Sequence, residues 1–189
     1  MIQALANRVA EFVVNNDDTA DYEVLAYGYG LIVWGIFNYT IIIASAAFLG
    51  VICEMFAAIA VYITMRSTIG GVHASNRAIC LATYAGILYF SIFISPILNL
   101  SVIAIAALFL TNVILLILYA PSDTAEQPIV KRRLLRKILG ILILTAFFSF
   151  SIFSDNMQIV ANIMLLIPTF TCLFLHPLIY RILGCKKSI

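Results

Sequence analysis

The chain has 189 residues, 63% of them hydrophobic and 11% charged, with a mean hydropathy of +1.09 and a formal net charge of +2. These proportions lie far outside the soluble globular range, so the class is a polytopic membrane protein, and no nucleic acid is expected as a partner. No basic n-region, short apolar core and small-residue cleavage site open the chain, so no removable signal peptide is expected.

Met1 to Asn16 carries Ile2, Leu5, Val9, Phe12 and Val13 at helical spacing, with Gln3, Asn7, Arg8 and Glu11 on the other side. This predicts an amphipathic helix lying on the membrane or on a partner, surface anchoring being the preferred reading, with a linker that completes residues 1–20. Asp18, Asp21 and Glu23 suit the start of the next helix. From Leu25 to Met65 no Lys or Arg occurs, which is room for two bilayer crossings of about 20 residues each. The turn between them is expected near Ala44 to Leu49. Gly28, Gly30 and Gly35 read as close-packing positions between helices. Glu54 and Cys53 fall in the second crossing, where Cys53 reads as a packing residue. An ionisable side chain in a span is costly, so Glu54 is a functional candidate as well as a candidate for a hydrogen-bonded, protonated carboxyl. It precedes Arg66 by twelve residues, about 18 Å along a straight helix, too far for a direct pair.

Residues 66 to 80 form a polar island between apolar runs: Arg66, Ser67, Thr68, the pair Gly70-Gly71, one of only two histidines at His73, then Ser75, Asn76, Arg77 and Cys80. A thiol and an imidazole are the parts of a cysteine nucleophile and its general base. On one continuous helix the seven-residue spacing would hold them about 10 Å apart. If the pair works together, the chain must leave helical geometry, most readily at Gly70-Gly71. Ser75 as an N-cap would place Cys80 near a helix N-terminus, where the dipole favours an anion. The other reading of the island is a solvated loop whose cysteine happens to follow a histidine, and both readings stand at this point.

Cys80 to Leu98 predicts a third span, with Pro96 near its end, and Ser101 to Tyr119 a fourth. Residues 120–137 form a polar, Pro-interrupted loop that ends in Lys131, Arg132, Arg133, Arg136 and Lys137. A fifth span runs over about Leu139 to Phe153, Asp155-Asn156 marks a turn, and Gln158 to about Tyr180 is a sixth, interrupted by Pro168 and Pro177. The tail, 181–189, carries Arg181, Lys186 and Lys187. Cys172 reads as a packing residue, His176 as an interfacial histidine, and the four cysteines form no disulfide framework. Six spans put all eleven Lys and Arg residues on one side, which the positive-inside rule makes the cytoplasm. Both termini and the island are then cytosolic.

Arg66, Gly70-Gly71, His73-Ala74 and Cys80, ending one apolar run and opening the next, resemble the signature of the AgrB family, the peptide-processing membrane proteases of Gram-positive quorum sensing. Tyr119-Ala120-Pro121, Thr124-Ala125, Pro128 and the basic run Lys131 to Lys137 resemble the stretch such proteins carry after their fourth span. The resemblance implies a cysteine endopeptidase acting on a small AgrD-like precursor, with Cys80 as nucleophile and His73 as base. It further implies an acyl-enzyme resolved by cyclisation to a thiolactone or lactone signal peptide. Arg66, Gly70, Gly71, Ser75, Asn76 and Glu54 are candidates for substrate binding, oxyanion stabilisation or a third group. Lys131, Arg132 and Arg133 either anchor the topology in anionic lipid or hold the precursor's acidic tail.

The expected architecture is therefore all-α, one integral membrane domain over 1–189 with about six transmembrane helices. The expected partners are the precursor, membrane lipid and, in one arrangement, a second copy of the chain, with no metal or cofactor. A small six-span transporter or substrate-capture subunit is the competing class. It calls for polar groups converging on a cavity near the midplane or the external face, whereas this chain concentrates them at the cytosolic face. A peptide-binding scaffold without catalysis ranks third.

Overall fold

The computed structural model describes residues 2–15, 21–71, 77–122, 132–154 and 157–182. Eight helices occur among them: α1 (Ile2–Val14), α2 (Tyr22–Phe48), α3 (Ile52–Ile69), α4 (Arg77–Ile94), α5 (Val102–Tyr119), α6 (Arg133–Phe153), α7 (Gln158–Leu173) and α8 (Pro177–Ile182), with a short 3-10 turn at Ser95–Ile97. No strand occurs among the described residues. The protein is all-α, and α2, α3, α4 continued through the 3-10 turn, α5 and α6 are each long and apolar enough to cross a bilayer. Large apolar side chains face outward, with Ile103 82% and Phe153 84% exposed, which suits lipid and not water.

The chain divides into two compact units, residues 1–50 and 51–189. In the first, α1 packs along α2. The side chains of Ala6 and Ala10, one helical turn apart, are fully buried, because small residues let two helix backbones approach. Leu5 and Phe12 of the expected apolar stripe stay largely exposed. Asp21 caps α2 as its sequence suggests, its carboxylate accepting from the N–H groups of Glu23 at 2.9 Å and Val24 at 3.4 Å. The turn expected at Ala44 to Leu49 falls later. Alanine and serine sustain the helix to Phe48, and the chain turns at Leu49-Gly50, where Gly50 takes φ 72°.

In the second unit α7 is the central helix, packed against α3, α4, α5 and α6. Its buried residues include Ile163, Leu165, Ile167 and Cys172. The single sixth span expected over Gln158 to Tyr180 is instead two helices. At 16 residues α7 is about 24 Å long, short of a bilayer core of about 30 Å, and a turn over Phe174 to His176 leads into α8. A helix sheathed by four neighbours does not have to reach both lipid interfaces itself. Pro168 stays inside α7, the surrounding helices holding it in place, and Pro177 opens α8, where its missing N–H costs nothing.

Polar ties set the register of this unit. Asn162 Nδ2 donates to the carbonyls of Ser95 and Leu98, both at 2.8 Å, fixing the α4–α5 connection on α7. Asn112 Nδ2 donates to Thr169 Oγ1 at 2.9 Å, joining α5 to α7. α6 begins at Arg133, six residues before the expected span, because nothing after Arg132 breaks a helix. Lys137 on its second turn then donates to the Ile117 carbonyl at 2.7 Å, binding the end of α5 to the start of α6. Gly140 lets α6 pass close to the end of α3, since a Cβ there would lie 2.5 Å from Ile69 Cγ2.

Candidate functional site

The last turn of α3 carries Arg66 and stops at Ile69, with the Gly70 N–H donating to the Arg66 carbonyl at 3.1 Å. Gly70 then adopts φ 75° and Gly71 φ 133°, conformations that favour glycine. The run from Arg66 to Cys80 is therefore not one helix. The Arg66 guanidinium lies where a Cβ on Gly71 would sit, so the second glycine also makes room for a cation against the backbone.

The segment after α5 holds this turn from the other side. The Ser122 N–H donates to the Ile69 carbonyl at 3.1 Å and the Ser122 carbonyl accepts from the Gly71 N–H at 2.8 Å. One orphan carbonyl of the α3 terminus is thereby satisfied. The Ser122 side chain is fully buried, and its hydroxyl shares a hydrogen bond of 2.7 Å with the hydroxyl of Tyr180 on α8, itself 4% exposed. One residue triplet earlier, Tyr119 meets His176 edge to face with ring centroids 5.1 Å apart, and His176 Nδ1 accepts from the Leu178 N–H at 3.3 Å.

Cys80 is the fourth residue of α4, half-buried and free of any disulfide. It is near a helix start, as expected, and α4 is bound to α3 by the Tyr62–Tyr84 ring pair at 4.7 Å. His73, Ser75, Asn76 and Lys131 lie outside the described residues, as does Cys185. Arg132 and Arg133 are exposed at the start of α6. Glu54 is on the first turn of α3, sixteen residues or about 24 Å along the axis from Gly70, and the fold does not bring it to the turn. Cys53, expected to be a buried packing residue, is exposed beside it, because the packed face of α3 runs through Met55, Ala58 and Ile59. Cys172 is buried as expected. Among the described residues no three His, Cys, Asp or Glu side chains form a group able to hold a metal ion.

Ser122 and Tyr180 are the residues that sequence reading passes over. Tyr119-Ala120-Pro121 draws notice as a motif, but nothing local marks the serine after it, and Tyr180 reads as one more aromatic near a membrane boundary. Arg66 lies against Gly71 of this clasp and Arg181 follows Tyr180, while Glu54 is on the first turn of α3 and Asn99 lies in the connection before α5.

Comparison with known proteins adds one finding. The sequence pattern of AgrB, Accessory gene regulator B, matches residues 6–175, from α1 to the turn after α7. No curated protein and no solved structure matches. Because the match takes in both helical units, the Gly70-Gly71 turn and Cys80, this chain belongs to the AgrB family of membrane-embedded accessory gene regulator proteins of quorum sensing.

Proposed function

We propose that this chain is a membrane cysteine endopeptidase that removes the C-terminal tail of an AgrD-like precursor and closes the remaining segment into a ring. The observation that carries the reading is the ending of α3 at Gly70-Gly71, which frees the chain two residues before His73 from the helical path and its separation of about 10 Å. In the reaction, the Cys80 sulfur attacks the carbonyl carbon of the scissile peptide bond. The C–N bond breaks, and the departing amine takes a proton from His73, which had received the thiol proton. The precursor is left as a thioester on Cys80. A cysteine or serine within the precursor attacks that carbonyl, the bond to the Cys80 sulfur breaks, and a thiolactone or lactone forms as the thiol is regenerated.

Arg66 serves the substrate or the developing oxyanion, whereas the Gly70 and Gly71 N–H groups, already given to the Arg66 and Ser122 carbonyls, shape the turn. Ser75 and Asn76 are in reach by sequence, whereas the place of Glu54 on α3 argues against its being a third group. Lys131, Arg132 and Arg133 offer a basic surface to an acidic tail. The test is capture of the intermediate. Protein in membranes, incubated with a precursor whose internal nucleophile is replaced by alanine, should accumulate an adduct on Cys80 that hydroxylamine releases. Free tail with no Cys80 adduct, under conditions that preserve thioesters, would sink the covalent route.

The segregation of Lys and Arg supports a site at the cytosolic face of the plasma membrane, with both termini on that side. Single cysteines at Arg132 and Asn99, both exposed, read out the orientation in a cysteine-free background. The first should be protected from an impermeant maleimide in intact cells, and the second should label. Ser122, although in the same loop, is unsuited as a reporter because its side chain is buried. Labelling at Arg132 with protection at Asn99 would reverse the orientation.

A further inference from the structure

We propose that Ser122 and Tyr180 are positioning residues for the reaction, a clasp that sets the direction in which the chain leaves α3 toward the catalytic segment. The proposal rests on the reading of the Gly71-to-Cys80 segment as the site. A turn with two successive glycines at positive φ has little conformational preference of its own. Something outside it must choose one geometry, and Ser122 makes both backbone bonds available to it, to the Ile69 carbonyl and from the Gly71 N–H.

Ser122 is held in turn. Its backbone is committed to α3, and its hydroxyl, fully buried, is bonded to Tyr180 on α8. Tyr180 lies five residues beyond the part of the chain that matches the family pattern. α8 thus reaches, through one buried hydroxyl pair, an element that stands 58 residues earlier in sequence. Neither hydroxyl is placed to react. Both are enclosed, and what they fix is the path of residues 69 to 71. A loss here should therefore appear in turnover and not in substrate affinity.

The experiment uses the full-length protein in lipid nanodiscs, with Cys53, Cys172 and Cys185 replaced by alanine so that Cys80 is the one thiol. Tyr180→Phe, Ser122→Ala and the double variant are compared for precursor cleavage, thermal unfolding and the rate of Cys80 alkylation by iodoacetamide near neutral pH. Tyr180→Phe takes from the buried Ser122 hydroxyl its Tyr180 partner, so it should lower the melting temperature, whereas the double change removes both hydroxyls and should recover much of it. Turnover should not recover. We expect kcat to fall about tenfold in all three, with KM within about twofold and slower Cys80 alkylation. Ser122→Thr, which keeps the hydroxyl, should restore turnover.

A double variant whose kcat returns with its melting temperature would assign the pair a structural role only and overturn the proposal. So would normal kcat and alkylation in Tyr180→Phe. Cys80→Ala run alongside separates the two levels: if it is inactive while Tyr180→Phe is normal, only the clasp is wrong. If Cys80→Ala cleaves, the reading of the site is wrong and the clasp falls with it.

Discussion

Replacing Cys80 with alanine should lower precursor cleavage by roughly 10⁴-fold or more, and replacing His73 with alanine by about 10² to 10⁴-fold, with the protein still inserted in membranes. The two expectations differ because the groups do different work. Without the sulfur no acyl-enzyme forms, and no other described cysteine can take its place. Cys172 is enclosed in α7 among the core side chains, and Cys53 stands on the first turn of α3, away from the Gly70-Gly71 end. Without the imidazole the sulfur remains and can still attack, more slowly. Cys53→Ala, Cys172→Ala and Cys185→Ala should keep most activity. The measurement is tail release in isolated membranes, normalised to the amount of protein inserted. Ordinary trimming by Cys80→Ala would falsify the assignment of the nucleophile.

The same two residues show how far the sequence reaches. Hydropathy locates the spans because a bilayer demands long apolar helices, and the boundaries that depend on a local cap or breaker are legible: Asp21 before α2, Ser101 before α5, and the glycine pair after Ile69. Boundaries without such a mark are not. Residues 44 to 47 of α2 are small and look like a turn, yet alanine is a strong helix former and the helix runs on. Arg133 to Lys137 look like a solvated basic loop, yet they form the first turns of α6, their charges carried at its start.

The central place of α7 is invisible locally. It is shorter than its neighbours, contains a proline and carries buried Asn162 and Thr171, all of which weaken a span signal, and only packing against four helices explains it. The clasp is hidden for a related reason. Ser122 and Tyr180 are joined by contact across the fold, and periodicity within either segment carries no trace of that contact. Of the candidate site, the sequence supplies the reactive residue types and the requirement for a break between them. The fold adds what closes the break into one geometry.

Gly71→Val should cripple cleavage, by about 10²-fold or more, while leaving both reactive groups in the protein. Three features converge on this position. Its φ of 133° is one that a β-branched residue cannot adopt without strain of about 1–3 kcal/mol or more. The Arg66 guanidinium occupies the place of the new Cβ, so the arginine would have to leave the backbone it now lies against. The Gly71 N–H is committed to the Ser122 carbonyl at 2.8 Å, so a change of backbone path there also loosens the clasp. All three effects act on the direction of the chain two residues before His73, and a displacement of about 1 Å suffices for a large loss of rate. If His73 assists Cys80 as proposed, Cys80 alkylation near neutral pH should slow as well. Gly86→Ala is the matching control, since Gly86 lies within α4 with open space around it and the change favours a helix. If Gly71→Val cleaves at the rate of the unchanged protein, the turn is not what brings the two groups together. The histidine would then have to reach the thiol by another route, through movement on substrate binding or from a second copy of the chain.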